Sequence, residues 1–212
     1  MGNVLPIFFC GILVSKRMDR KGEKTMEGTT AISPIFTQAP NEEGRLEKEM
    51  AVYELLDKLS ISYERVDHGE MATIAECDKV SEVLGISICK NLFLCNSQKT
   101  KFYLLMMPGE KRFVTKEFSK LIGSSRLSFA PAEYMEQYLN ITPGSVSVLG
   151  LMNDIEGKVK LYIDRDVVEK EYIGCHPCIN TSSLKLKTED VLGKFLPYVG
   201  HEAEIIEIGV EN

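Results

Sequence analysis

Two extended apolar runs, Asn91–Cys95 and Phe102–Met107, flank the polar stretch Asn96-Ser97-Gln98-Lys99-Thr100. Apolar runs joined through so short a polar segment commit this part of the chain to a β-hairpin with a loop of about five residues. The rest is arranged around it. Leu46, Met50, Tyr53, Leu56 and Leu59 recur at helical spacing, so residues 43–60 read as an amphipathic helix, followed by a short strand at Ser62–Val66. Ile74–Leu84 is a second helix stopped at Gly85, Thr115–Ile122 a third ended by Gly123, and Ala130–Leu139 a fourth with Pro131 in its first turn. Ser145–Leu149, Val159–Ile163, Tyr172–Cys175 and Leu184–Leu186 are strand candidates. Thr188 is expected to cap a last helix, with Glu189 and Asp190 set against its dipole, and Glu204–Ile208 to close as a strand. Helices and strands are interspersed without βαβ regularity, which predicts an α+β domain with a mixed sheet.

A chain of 212 residues accommodates one domain and at most a tail, and 44% apolar with 26% charged residues is an ordinary globular balance. The net charge of −6 argues against a protein that coats nucleic acid, though not against one that grips the end of an RNA. Between Lys99 and Arg126, seven basic residues (Lys99, Lys101, Lys111, Arg112, Lys116, Lys120, Arg126) face two glutamates. A solvated surface and an RNA-facing patch both fit that excess. The six cysteines are scattered and suit a reduced, cytoplasmic setting. Val4–Val14 is apolar over eleven residues, too short for a stable membrane span of about 20. No basic segment precedes it, no clean cleavage site follows, and Pro6 spoils a myristoylation signal at Met1-Gly2. Residues 22–44 have linker composition, so 1–44 is expected to be a disordered leader, with order beginning near Glu42 and a domain over 45–212.

Two segments carry candidate chemistry. In Cys89-Lys90-Asn91-Leu92-Phe93-Leu94 a lysine stands at the mouth of an apolar strand, either as a snorkelling edge residue or as a fixed cation for a phosphate or a polarised carbonyl. In Tyr172-Ile173-Gly174-Cys175-His176-Pro177-Cys178-Ile179-Asn180-Thr181-Ser182-Ser183, glycine and proline bracket a turn directly after a strand. Backbone N–H groups can point outward from such a turn, and a row of small polar side chains follows. Plain turn chemistry is the alternative. Cys175 and Cys178 also have C-x-x-C spacing, but the pair leaves a strand for a polar turn rather than opening a helix. A zinc site would need two more ligands, which Cys89 and Cys95 do not supply as a second pair.

Lys90-Asn91-Leu92-Phe93-Leu94 followed by Gly174-Cys175-His176-Pro177 and Asn180-Thr181 resembles the YbaK/ProX/PrdX group of freestanding prolyl-tRNA editing proteins, relatives of the editing domain inserted in bacterial prolyl-tRNA synthetases. Met107-Pro108-Gly109-Glu110-Lys111-Arg112, Gly144-Ser145-Val146-Ser147 and Gly150-Leu151-Met152-Asn153-Asp154 also resemble family segments, so the likeness covers about residues 46–210. The resemblance implies one compact α+β domain, a mixed curved sheet flanked by helices, that hydrolyses the ester joining an amino acid to the 3′ end of a tRNA. It implies Lys90 as the residue on which activity depends, adjoined by Asn91, with Gly174, Cys175, His176 and Pro177 meeting the aminoacyl group and Asn180 and Thr181 completing the loop. His176 matches a pocket histidine of alanine-specific members. Ser147-Val148-Leu149 stands where many of those members have Thr-Pro-Phe, so Ser147 and Leu149 bear on amino acid choice. Lys111, Arg112 and Lys116 are the expected tRNA contacts. The family mechanism is substrate-assisted, a tRNA ribose hydroxyl positioning the attacking water, with no metal or cofactor.

The absence of an H-E-x-x-H or Gly-x-Ser-x-Gly motif agrees with that chemistry, since an activated ester needs mainly positioning and oxyanion stabilisation. Synthetase pockets reject smaller amino acids poorly, a methylene being worth roughly 1–3 kcal/mol, so alanyl-tRNA(Pro) is the expected substrate. Prolyl-tRNA synthetase is a candidate partner. A non-catalytic sensor of aminoacyl-tRNA or proline status is the rival reading. The editing reading requires Lys90 and the Gly174–Pro177 turn to converge.

Overall fold

The computed structural model describes residues 8–9, 12–13, 31–70 and 74–209. Of the expected leader it includes β1 (Phe8–Phe9) and β2 (Ile12–Leu13), paired antiparallel, and the stretch from residue 31 onward. The remainder of Val4–Val14 and of residues 14–30 lies outside the described residues. The body then runs α1 (Glu47–Lys58), β3 (Tyr63–Asp67), α2 (Ile74–Leu84), β4 (Lys90–Asn96), β5 (Phe102–Met107), α3 (Thr115–Leu121), β6 (Leu127–Phe129) and α4 (Ala132–Leu139). A 3-10 turn at Val148–Asn153 leads to β7 (Val159–Asp164), α5 (Arg165–Val168), β8 (Tyr172–Cys175) and β9 (Ser182–Lys187). One last helical stretch, α6 (Thr188–Asp190), a π-helical middle at Val191–Phe195 and α7 (Leu196–Tyr198), precedes β10 (Ala203–Ile206).

Two sheets result. The larger has the order β10-β7-β5-β4-β6, with β10, β7 and β5 parallel and β4 antiparallel to both β5 and β6. The smaller is antiparallel, in the order β3-β9-β8. A parallel bridge between Ile88 and Gly174 joins them, with the Cys89 N–H donating to the Gly174 carbonyl at 3.3 Å. The hairpin expected from the two apolar runs is β4–β5, and all its strand residues are buried. Phe93, Cys95, Phe102, Leu104 and Met106 enter the main core with Tyr53 and Leu56 of α1 and Leu139 of α4. Leu92, Leu94, Tyr103, Leu105 and Met107 pack on the other face against Phe118 of α3, Tyr162 and Ile206. Burial on both faces is why these strands are continuously apolar rather than alternating.

Three local expectations are corrected. Ser145–Leu149 is not a strand: the Ser147 hydroxyl accepts the Leu149 N–H at 3.2 Å and caps the 3-10 turn. Gly150 allows that turn to press on the end of α4, since a Cβ there would lie 3.1 Å from both the Cβ and the carbonyl oxygen of Leu139. Thr188 begins the last helix rather than capping it; Lys187 is the cap residue, and the Thr188 hydroxyl donates to the Lys170 carbonyl at 2.5 Å. The folded body also starts well before Glu42. Phe36 exchanges backbone hydrogen bonds with Arg65 of β3, and the Arg65 guanidinium lies 4.6 Å from the centre of the Phe36 ring.

Candidate active site

Lys90 is the first residue of β4, and its buried side chain lies on the sheet face shared with Leu92 and Leu94. Its ammonium donates to the Lys111 carbonyl at 2.7 Å. Burial pulls its proton affinity below the ordinary lysine value of 10.5, against the opposing field of Glu110. Beside it opens a cavity of about 280 Å³, walled by Cys77, Asp78 and Ser81 of α2, by residues 87–90, and by Gly109 and Glu110. Gly109 is needed there: a Cβ would stand 2.7 Å from the Ile88 carbonyl oxygen. The Pro108–Arg112 turn thus lies directly on the strand entry and presents the carbonyl that aims Lys90.

That carbonyl is itself anchored. The Lys111 ammonium reaches both carboxylate oxygens of Asp164 at 2.9 and 3.0 Å, Asp166 at 2.9 Å, and the Ile208 carbonyl at 3.2 Å. Asp164 is fully buried at the end of β7 and accepts two further bonds, from the N–H groups of Asp166 at 2.9 Å and Ile208 at 3.1 Å. Lys111 therefore carries the local architecture with its side chain, while Arg112 and Lys116 are exposed.

None of Gly174, Cys175, His176 and Pro177 lines the Lys90 cavity: the turn lies behind its wall, and the expected convergence on Lys90 is a backbone contact through residues 86–89 rather than a shared opening. A Cβ on Gly174 would meet Ile86 Cδ1 at 2.8 Å and Ile88 Cγ1 at 3.1 Å, so only glycine lets β8 touch the segment leading into Lys90. Its carbonyl bonds the backbone of Cys89, the residue preceding Lys90. Cys175, His176 and Pro177 are buried, and Asn180 and Thr181 are half-buried at the far side of the turn. The His176 Nδ1 is 2.8 Å from the Ser182 carbonyl, so Nδ1 carries the proton. Burial lowers the proton affinity of His176, and its bond to Ser182 only partly offsets that.

His68 belongs to this group as well, although in the sequence it reads as a turn or surface residue. It is buried, its ring centre is 6.2 Å from that of His176 in an edge-on arrangement, and Nε2 lies 2.9 Å from the Ser183 hydroxyl. Burial lowers its proton affinity too, with the neighbouring His176 adding to the shift and the Gly69 carbonyl opposing it. The preceding residue is fixed by charge. Burial alone would raise the Asp67 carboxyl, but hydrogen bonds from Arg45, at 2.6 Å, and Arg65 prevail and hold it below its usual range. The antiparallel pairing of Asp67 with Ser182 brings His68 to His176, a long-range register that single-sequence periodicity does not carry.

Asn91, one residue beyond Lys90, points to the opposite sheet face. Its amide donates weakly to the Cys89 carbonyl at 3.5 Å, and its buried Oδ1 has no partner among the described residues. Ser147 and Leu149 are fully buried, Leu149 in the main core, and neither lines the cavity. Burial pushes the Cys89 thiol up to about 11 and Cys178 to about 12, and raises Cys175 as well. Thiols so placed are poor nucleophiles and poor metal ligands, which weighs against the redox and zinc readings of the C-x-x-C pair.

An ammonium, a small cavity and a pair of neutral histidines behind a shared wall form a site suited to positioning and polarising rather than to covalent attack. The family model described as aminoacyl-tRNA editing domain matches residues 68–193, from His68 through His176 and beyond. The chain belongs to the aminoacyl-tRNA editing family. The prolyl-tRNA editing protein ProX of Acetoanaerobium sticklandii is 31% identical over 163 residues, covering 77% of this chain and 99% of that protein. The prolyl-tRNA synthetase associated domain-containing protein 1 of Danio rerio is 29% identical over 182 residues, covering 84% and 91%. The same α+β fold recurs in a crystal structure described as a candidate trans-editing enzyme for prolyl tRNA synthetase, with a TM-score of 0.56 at 14% identity over 78% of this chain and all of that one. It recurs also in hypothetical protein APE2540, with a TM-score of 0.55 at 18% identity over 74% and 97%. Among the described residues no helix is long and apolar enough to cross a membrane.

Proposed function

We propose that this editing-family chain is an aminoacyl-tRNA deacylase that acts in trans on mischarged tRNA(Pro), with alanyl-tRNA(Pro) as its preferred substrate. The observation that carries the reading is the Lys90 ammonium, held by a backbone carbonyl at the edge of a cavity of about 280 Å³. That volume suits an aminoacyl ester and part of a ribose better than a whole nucleotide. In the hydrolysis, water adds to the ester carbonyl, the bond to the ribose oxygen breaks, and a free carboxylate and a ribose hydroxyl result. Lys90 opposes the negative charge that develops on the ester or on the adjacent phosphate, and burial strengthens that interaction by excluding water. A ribose hydroxyl of the tRNA orients the attacking water, so no protein base is required. The other proposed contacts are the turn from Gly174 to Pro177 with Asn180 and Thr181 toward the aminoacyl group, and Arg112 and Lys116 on the RNA; Asn91, Ser147 and Leu149 act from behind the site, through the strand and core that support it. The proposed setting is cytoplasmic, beside the synthetase.

The test is a deacylation panel with alanyl-, cysteinyl- and prolyl-tRNA(Pro). Alanine is expected to be released fastest and proline retained. Tight binding of all three without release would replace the enzyme with a sensor of the same fold. Selectivity is read through His176. Replacing it by Ala removes the bond to the Ser182 carbonyl and enlarges the buried space beside His68, so the alanine-to-cysteine preference is expected to shift by at least about fivefold, roughly 1 kcal/mol. An unchanged ratio would remove His176 from the selectivity role.

A further inference from the structure

The seven basic residues that cluster between Lys99 and Arg126 in sequence separate in space. Lys111 and Arg112 stay near Lys90, in the turn whose carbonyl holds it. Lys99, Lys101 and Arg126 sit at the opposite end of the hairpin, about 20 Å away along seven strand residues. Two sequence-distant lysines join them there: Phe102 pairs with Val159 and Tyr103 with Lys160, which sets Lys158 and Lys160 beside Lys101. Lys101, Lys158 and Lys160 line an open cleft of about 580 Å³ with the Gly123–Ser125 turn, with Tyr103 and Tyr162 in its floor, and Arg126 follows that turn directly. Its rim is rich in hydroxyls, and the Tyr103 hydroxyl holds the Ser124 hydroxyl at 3.2 Å. Lys120, at the end of α3, precedes the turn. Two acids answer this charge: Glu156 with Lys158 at 3.4 Å and Glu204 with Lys160 at 2.6 Å, both surface pairs. Lys101, Lys120 and Arg126 are exposed and have no acidic partner among the described residues.

We propose that this distal cleft holds the sugar–phosphate backbone of the acceptor stem of the tRNA while its unpaired 3′ end crosses to Lys90. The inference rests on the deacylase reading for its substrate. A concave, cation-lined, hydroxyl-rimmed surface without an apolar patch suits a phosphate backbone, which needs charge and hydrogen-bond donors rather than base-reading geometry. The span of about 20 Å is one that a few unpaired nucleotides can bridge. It also reconciles an acidic protein with an RNA substrate, because the positive charge is placed where a duplex arrives.

The experiment uses the full chain and the triple variant K101A/K120A/R126A, all exposed positions away from the cavity, with circular dichroism as the folding control. Two substrates are compared, alanyl-tRNA(Pro) and an alanylated CCA trinucleotide, which has no duplex. For the tRNA, KM is expected to rise at least about tenfold with kcat unchanged, and the log–log salt slope of binding to drop by about 2 to 3, near 0.9 per lost phosphate contact. The trinucleotide is expected to react as with the unaltered chain. Equal KM values and salt slopes for both proteins would overturn the inference, and so would an equal loss on both substrates. If the unaltered chain releases alanine from neither substrate, the deacylase reading fails separately, and the cleft is judged by binding of uncharged tRNA(Pro). Weakening by the triple variant then sustains it, and unchanged affinity overturns it.

Discussion

Lys90→Ala is expected to lower kcat for alanyl-tRNA(Pro) by about 100- to 1,000-fold, the range for loss of one preorganised donor to a developing oxyanion. The fold should survive, because a buried ammonium is itself penalised by desolvation and its hydrogen bond to Lys111 returns only part of that cost. Lys90→Arg is expected to restore little. A planar guanidinium cannot reproduce a compact charge aimed by one carbonyl in so small a cavity. The pH profile supplies an independent check. The active form is the ammonium, and burial moves its titration below 10.5, so the enzymatic rate, after subtraction of spontaneous ester hydrolysis, should fall on an alkaline limb below that value. Turnover near that of the unaltered chain in Lys90→Ala, with correct folding, would end the assignment.

Asp164→Ala should give the largest loss of stability. Its buried carboxylate accepts two bonds from the Lys111 ammonium and one each from the Asp166 and Ile208 N–H groups. Removing it leaves the Asp166 and Ile208 N–H groups without their acceptor and the Lys111 ammonium with only the exposed Asp166 and one carbonyl, a loss of about 3–5 kcal/mol. For a chain of this size that lowers the thermal midpoint by roughly 6–20 °C. Turnover should fall as well, because the turn anchored by Lys111 carries the carbonyl that aims Lys90. The double variant Lys111→Met with Asp164→Leu removes both charges and should recover part of the stability, as apolar replacements of buried ion pairs do. Calorimetry of the two variants decides: an unshifted midpoint in Asp164→Ala would mean that the pair bears no load.

How much of this was legible beforehand follows from the range of each interaction. The β4–β5 hairpin was readable because its signal is local, two apolar runs around one polar loop. Lys90 and the Gly174–Pro177 turn stood out by residue type. What sequence could not supply was pairing. His68 became a neighbour of His176 only through the register of β3 on β9, and Lys111, expected on the RNA, is drawn to an aspartate 53 positions away. Ser145–Leu149 was ambiguous for another reason. A short apolar stretch is buried whether extended or coiled, and the Ser147 cap and Gly150 contact decide it. Residues 31–44 have the composition of a linker, yet Ser33 and Phe36 bond to β3 through backbone atoms that composition does not record.

The cavity draws its walls from two unlike sources. Lys90 stands on a strand packed on both faces, where almost any exchange would disturb one core or the other. Cys77, Asp78 and Ser81 face the same space from successive turns of a single helix at the edge of the domain. With Lys90 as the proposed reacting centre, descendants of this chain could therefore retune what the cavity admits by altering a few helical positions while leaving that lysine untouched. Selectivity and catalysis are free to evolve at different speeds.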